Sequence, residues 1–167
     1  MKKVLAILIA LTLCLSFAAL AEEEAAIPEV TSEVTFDAQT IALGDTGLSI
    51  QIPAEWVVQE APEGILLYAL TPDGSVGVTV QTADMDFDTL LAALDEAGAT
   101  EDMLNEFIIN GVYCLAYEAS DLAASFYTWL DEDATTLLTI GFTAATAEAG
   151  NSIGDLPVQI FGSLAAA

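Results

Sequence analysis

All basic side chains of this 167-residue chain lie at its N-terminus, at Lys2 and Lys3. Residues 4–167 carry 26 Asp and Glu residues and no Lys, Arg or His, so a fold built from them contains no salt bridge between side chains. High net charge indicates disorder only where hydrophobicity is low. Since 54% of the residues are hydrophobic, we expect a folded domain with one core.

The absence of cations excludes several classes of function. Nucleic-acid binding and adhesion to anionic lipid both require Lys or Arg patches. Without His, neither a Ser-His-Asp nor a Cys-His nucleophile can be built, and without Lys or Arg beyond residue 3 there is no Schiff base or phosphate clamp. The sequence also lacks a P-loop and a dinucleotide glycine fingerprint. No catalytic, cofactor-binding or metal-binding residue is assigned from the sequence, and we expect no cofactor.

The N-terminus has the pattern of a secretory signal peptide over residues 1–21. Two lysines precede an apolar run from Val4 to Phe17, and Ala19-Leu20-Ala21 forms a small-x-small cleavage site. The sequence therefore predicts cleavage after Ala21 and a secreted protein that has no membrane association once the peptide is removed. An uncleaved membrane anchor is the alternative, because the run is nearly long enough to span a bilayer.

Two cysteines are present, and they predict neither a lipid anchor nor a disulfide. Leu13 stands before Cys14 where lipoprotein processing needs a small residue, and apolar residues follow. Cys114 is then the single thiol beyond the signal peptide, which excludes an intramolecular disulfide. Because it lies in an apolar segment without nearby cations, we expect an inert, buried thiol.

Beyond an acidic, flexible leader over 22–34, hydrophobic periodicity predicts a single domain over 35–167. Asp86 or Asp88 is placed to cap the first helix and Gly98 to end it. The expected order is three strands, a helix, four strands and a closing helix, over 48–52, 64–71, 75–81, 87–97, 105–109, 112–118, 124–130, 135–142 and 155–164.

Turn signals join these strands as hairpins. Pro72-Asp73-Gly74 follows the second strand, and Asn110-Gly111 is a strong hairpin signal. Asp131-Glu132-Asp133 marks a further hairpin tip, and Val112–Tyr117 is apolar on both faces, as a covered central strand would be. The fold class predicted is α+β, with a largely antiparallel β-sheet flanked by helices.

The segment Gly47–Trp56 resembles the opening of PsbP/Mog1-like domains, where a strand runs into a proline and a tryptophan. Tyr68 and the Pro72-Asp73-Gly74 turn follow in the same order, as do Asn110–Glu118 and the final hairpin and helix. The resemblance covers about 35–164. It implies an αβα sandwich and non-catalytic work as an accessory or binding module, and it carries over no functional residue.

Three weak candidate sites remain. Asp84, Asp86 and Asp88 alternate as in the opening of a calcium loop, but Thr89 stands where the loop needs glycine, which favours a strand end and a helix cap. Weak, non-specific binding of divalent cations is the alternative there and at Asp131–Asp133. The third candidate is an aromatic platform for sugars, formed by Trp56, Tyr127 and Trp129, although such residues more often pack in cores.

The function predicted is that of a secreted, non-catalytic binding or accessory domain whose partner is an unidentified protein or other component of the envelope or extracellular space. An acidic surface protein that binds divalent cations is the alternative, and a hydrolase using two carboxylates is the third. Repulsion among carboxylates that lack cationic neighbours predicts that folding raises their pKa values.

Overall fold

The computed structural model describes residues 26–120 and 122–167. The predicted signal peptide and the first part of the leader lie outside these residues. Within them the chain forms eleven strands and three α-helices: β1 Glu29–Val30, β2 Ala38–Ala42, β3 Leu48–Pro53, β4 Val57–Val58, β5 Ile65–Leu70, β6 Val76–Asp84, α1 Phe87–Glu96, β7 Leu104–Ile109, β8 Val112–Ser120, β9 Ala123–Trp129, β10 Thr136–Ala144, α2 Ala147–Ser152, α3 Leu156–Gly162 and β11 Ala165–Ala166.

Two sheets form. The large sheet has eight strands in the order β1-β7-β8-β9-β10-β6-β5-β4, and the small sheet has the order β11-β3-β2. All neighbouring strands are antiparallel except β1 and β7. The predicted α+β class with a largely antiparallel sheet is therefore confirmed.

The large sheet is covered on both faces. One face packs against the small sheet and α3 in the main core, which includes Ile50, Val78, Ile140 and Phe161. The other face packs against α1, where Leu90 and Leu94 meet side chains of β8, β9 and β10: Leu115, Tyr127 and Leu137. Helices thus lie on both faces of the sheet, although a small sheet shares the main-core side with α3.

Strand β8 shows how the alternation serves both faces. Cys114 and Ala116 point into the main core, while Leu115 between them packs on the α1 side. The prediction that Val112–Tyr117 is a strand covered on both faces is confirmed, because successive side chains of a strand point to opposite faces.

The helix ends and the hairpin turn lie where the sequence predicts them. Asp86 caps α1 by accepting a hydrogen bond from the Thr89 amide over 2.8 Å, and Gly98 follows the helix with a φ of 87°. Asn110 and Gly111 both have positive φ, at 50° and 83°, as a two-residue hairpin loop requires. Asp155 precedes α3, and Pro157 lies in its first turn. These signals are reliable because each is settled by a few neighbouring residues.

The structure differs from the expected leader, since Glu29 and Val30 form β1 on the edge of β7. The Asn110 side chain holds the segment that follows: its Oδ1 accepts from the Ser32 amide over 2.9 Å, and its Nδ2 donates to the Ser32 carbonyl over 2.7 Å. These contacts join positions 78 residues apart. Local sequence gives no sign of them, and the prediction of a flexible leader is wrong over this part.

The structure contains further helices and strands that the sequence did not predict. In β2 only Ile41 is apolar and half-buried, so its alternation is weak. Helix α2 has six residues and is capped by Thr146, whose hydroxyl accepts a hydrogen bond from the Ala149 amide. Strands β4 and β11 have two residues each. Among the residues described, no helix is long and apolar enough to cross a membrane.

Candidate functional site

A groove of about 520 Å³ lies where the β7–β8 hairpin turn and the β9–β10 turn come together beside the start of α1. We call it the hairpin groove. Strand β8 supplies one wall and the end of β9 supplies the other. The residues that line it are Phe87, Gly111, Val112, Tyr113, Thr128, Trp129 and Ala134.

Three aromatic rings form a row along this groove. The ring centroids of Phe87 and Trp129 are 5.4 Å apart with an interplanar angle of 51°, and those of Tyr113 and Trp129 are 6.2 Å apart at 36°. All three side chains are half-buried. Each ring therefore packs on its neighbours and retains some exposure to solvent.

The central ring is fixed by a hydrogen bond. The Trp129 Nε1 donates to the Met85 carbonyl over 2.8 Å, and the Met85 amide donates to the Thr135 carbonyl over the same distance. These two bonds join the end of β9, the entry to α1 and the β9–β10 turn. The ring is thus held by the backbone at the entry to α1, which is itself bonded to the β9–β10 turn.

The β9–β10 turn is held by Asp131. Its carboxylate accepts hydrogen bonds from the Thr135 and Thr136 amides over 2.8 and 2.6 Å. Within the turn Ala134 has a φ of 51°, a left-handed conformation that an L side chain rarely adopts. The hydrogen bonds to Asp131 help to hold the backbone in this strained geometry beside the groove.

The carboxylates near the groove are ionised at neutral pH. Hydrogen bonds from Thr89 lower the pKa of Asp86, and hydrogen bonds from Thr136 and Thr135 lower that of Asp131. At the other end of the row, burial raises the pKa of Tyr113 to about 12, and the nearby charge of Glu106 adds to this shift. The groove is therefore aromatic, with negative charge close to both of its ends.

The expectation of raised carboxyl pKa values is wrong for three residues. Hydrogen bonds from Thr71 and Ser75 lower the pKa of Asp73 to about 2. The pKa values of Asp86 and Asp131 are lowered as well. These short-range bonds outweigh the opposing effect of desolvation at those sites. None of the three can serve as the protonated general acid that a carboxylate-pair hydrolase needs near neutral pH.

The suggested cation sites do not assemble. Asp86 is occupied as a helix cap and Asp131 as the anchor of its turn, while Asp84 lies at the end of β6 opposite Thr136. Over the part of the chain that the structure describes, no group of three or more His, Cys, Asp or Glu side chains could hold a metal ion. The capping role that the sequence favours for Asp86 is what the structure shows.

The predicted aromatic platform divides between the two faces of the large sheet. Trp56 lies in the main core with 4% of its surface exposed, whereas Tyr127 and Trp129 lie on the α1 side. Trp129 is instead joined by Phe87 and Tyr113. The sequence places Phe87 at a predicted helix start and Tyr113 beside a predicted turn. It does not predict that the two side chains contact Trp129, because that contact depends on strand pairing.

Cys114 lies in the main core, as expected for an inert thiol. Its side chain has no exposed surface, and burial raises its pKa to about 12. The thiolate is therefore negligible at neutral pH, and the residue acts as a small apolar group.

A second pocket of about 450 Å³ lies at the opposite end of the large sheet, between the β8–β9 and β10 ends and the helices α2 and α3. Small residues such as Ala124, Ala144 and Gly150 leave its space open, with Phe126 and Phe142 beside them. Glu118 is the ionisable residue among the described residues that line it. Its described lining combines apolar contact with a few polar side chains, among them Ser120, Thr143 and Asn151.

The fold is similar to that of a solved structure. The solution structure of cyanobacterial PsbP (CyanoP) from Synechocystis sp. PCC 6803 matches 78% of this chain and 92% of its own chain, with a TM-score of 0.54 and 10% sequence identity. This chain has a PsbP-like fold. The resemblance noted in the sequence is thereby confirmed at the level of the fold.

A crystal structure from Bacteroides thetaiotaomicron VPI-5482 also matches, over 75% of this chain and 47% of that one, with 15% identity and a TM-score of 0.48. No protein-family model matches the sequence, and no curated protein matches it. The PsbP-like fold positions the hairpin groove at one end of its large sheet and the second pocket at the other.

Proposed function

We propose that the protein is an exported, non-catalytic accessory domain that binds a partner protein of positive charge. The observation that carries this proposal is the charge balance of 26 acidic side chains against two lysines, both within the first three residues. A surface of one sign attracts partners of the opposite sign and repels others during encounter.

Two further observations support a binding role. The PsbP-like fold is consistent with an accessory domain. Both pockets lie at sheet ends where loops and strand termini meet, and both offer mainly apolar or aromatic surface. Such surfaces suit recognition, in which a few apolar anchors are surrounded by polar groups.

The test uses protein recovered from a host that expresses the full chain. It is immobilised and exposed to envelope and medium fractions at 0.1 M NaCl, and bound proteins are eluted at 1 M. The Debye length falls from about 10 Å to about 3 Å over this range, so contacts based on charge should be released. We expect the eluted proteins to be basic.

A second column carries an unrelated protein of equal net charge. Proteins retained by this chain and absent from the control column support a specific partner. Capture of the same proteins by both columns, or of acidic proteins that resist elution, would refute the proposal.

A further inference from the structure

We infer that the hairpin groove binds a cationic side chain of the partner protein, arginine above all, against the faces of Tyr113 and Trp129. This inference rests on the proposed function and names the site that would carry it. Neither the fold nor the similarity to PsbP assigns a role to this groove.

The geometry of the aromatic row fits a planar cation. Tyr113 and Trp129 are tilted by 36° with centroids 6.2 Å apart, and Phe87 continues the row on the far side of Trp129. A cation is attracted by the face of a ring when it lies within about 6 Å of the centroid, and Trp gives the strongest attraction. The volume of about 520 Å³ falls within the usual size range of ligand sites, ~300–1,000 Å³.

The charges near the row favour the same occupant. Asp86 immediately precedes Phe87 in the chain, Asp131 follows two residues after Trp129, and Glu106 is close enough to Tyr113 for its charge to affect the phenol. Asp86 and Asp131 already accept backbone hydrogen bonds and so add negative charge near the row, while Glu106 lies beside Tyr113. Arg combines a flat surface for stacking with a fork of donors for a carboxylate, which Lys does not offer.

Other occupants are disfavoured by charge. A second copy of this chain has the same negative charge, and nucleic acid and anionic lipid are repelled for the same reason. An uncharged apolar segment would use the rings but gain nothing from the carboxylates. A basic segment of a partner protein uses both.

The test compares peptides that differ only in charge. A fluorescein-labelled peptide with four arginines separated by glycines is titrated with the exported protein at 50 mM NaCl, and binding is followed by anisotropy. Counterparts with lysine or glutamine in place of arginine are measured in the same way. We expect the arginine peptide to bind more tightly than the lysine peptide, and the glutamine peptide to show no binding.

A matched pair of variants locates the site. Tyr113→Leu removes one ring of the groove, whereas Tyr68→Leu makes the same change on β5, at another half-buried tyrosine that does not line the groove. A cation–π contact is worth about 0.5–2 kcal/mol, so Tyr113→Leu should weaken arginine-peptide binding by about 2- to 30-fold. Tyr68→Leu should leave it unchanged. Phe87→Leu replaces Tyr113→Leu if thermal melting shows that the latter is unfolded, with the same direction expected.

The outcomes separate this inference from the proposed function. If the arginine peptide binds wild type and groove variants equally, charge alone attracts it, so the hairpin groove is refuted while the proposed function stands. Equal affinity for the arginine and lysine peptides would also refute the stacked arginine. If no cationic peptide binds at 50 mM NaCl, both the groove and the attraction of basic partners are refuted.

Discussion

The Trp129 indole donates a hydrogen bond to the carbonyl of Met85, 44 residues away in sequence, over 2.8 Å. This bond fixes the central ring of the hairpin groove against the entry to α1. Because Met85 also donates its amide to Thr135, a single residue links the helix entry to both the end of β9 and the turn that follows.

Trp129→Phe should destabilise the protein while retaining an aromatic ring. The Met85 carbonyl would lose its donor, and an unsatisfied partly buried acceptor costs about 1–2 kcal/mol of unfolding free energy. Urea denaturation monitored by circular dichroism measures the change. Tyr68→Phe, which removes a polar atom from a half-buried aromatic side chain elsewhere in the sheet, should shift the unfolding free energy by less than about 0.5 kcal/mol. Equal stability of Trp129→Phe and wild type would show that the bond is not structural.

Asn110 should matter through both its side chain and its backbone. Its Nδ2 donates to the Ser32 carbonyl over 2.7 Å and to the Gly162 carbonyl over 2.8 Å. The side chain therefore joins the segment after β1 to the end of α3. Asn110→Gly keeps the positive φ and loses these bonds, for which we expect a loss of about 1–2 kcal/mol. Asn110→Ala should lose about 1 kcal/mol more of unfolding free energy, because a φ of 50° is strained for an alanine.

Urea denaturation ranks the two Asn110 variants, and digestion by a glutamate-specific protease reports on the N-terminal segment. Faster cleavage after Glu29 or Glu33 is expected in both variants, since each frees Ser32. Equal stability of the glycine and alanine variants would show that the backbone conformation contributes little. Unchanged cleavage would show that the segment is held by β1 pairing alone.

Ala134→Gly should stabilise the protein. The left-handed φ of 51° costs an alanine about 1–2 kcal/mol, and glycine avoids this cost while losing more entropy on folding. The expected gain is about 0.5–1 kcal/mol, measured as a rise in the melting temperature. The same substitution at Ala124, within β9, should destabilise by a similar amount, since glycine weakens a strand. A loss of stability in Ala134→Gly would show that the left-handed φ of Ala134 does not strain the protein.

Stability should fall in strong acid because of three carboxyls. The folded-state pKa values of Asp73, Asp86 and Asp131 lie below their unfolded values, so the unfolded state binds protons first. Their contribution is present above about pH 4 and is lost as the pH falls toward 2. The melting temperature of wild type should therefore drop between pH 4 and pH 2, and a variant with Asn at all three positions should drop less.

Repulsion among the other carboxylates is predicted to act in the opposite direction at higher pH. Protonation relieves it, so stability should rise from neutral pH toward about 5 before the acid loss begins. A melting temperature that peaks near pH 4–5 would agree with both effects. The control is Asp45→Asn at an exposed 3-10 turn, which should not flatten the drop between pH 4 and pH 2. A flat profile for wild type below pH 4 would contradict the contribution of the three carboxyls.

The N-terminus of the protein recovered from the medium tests whether the chain is exported and cleaved. If the chain is cut after Ala21, mass spectrometry of the medium should find a protein that begins at Glu22. Trypsin should leave this protein intact even in urea, because Lys2 and Lys3 are the only basic residues of the chain. Chymotrypsin is the positive control. Tryptic fragments, or a lipid-modified Cys14 in the membrane fraction, would contradict the predicted cleavage.

The parts of the fold that depend on neighbours in sequence were predictable. The Asp86 cap and the Asn110-Gly111 turn each require only two to four adjacent residues. In contrast, the pairing of β1 with β7 joins segments about 80 residues apart, and the polar sequence of the leader hides it. The strand β2 was missed for a related reason, because one apolar side chain does not make an alternating pattern.

The groove could be predicted only in part. Tyr127 and Trp129 are two residues apart in one strand, so the sequence places them on one face. It does not say which face Trp56 occupies, nor that Phe87 and Tyr113 lie beside Trp129, because these depend on how the helix and hairpins meet. The aromatic residues in the sequence thus indicated an aromatic site, while tertiary packing determined which of them form it.

The path of β1 has a practical consequence for handling the molecule. Its residues pair with Ile108 and Ile109 and run toward the Asn110 turn, at the end of the large sheet that holds the hairpin groove. A protein cleaved after Ala21 would have one primary amine, its own N-terminus. Acylating reagents would therefore attach every molecule to a sensor chip by the same point, seven residues before β1.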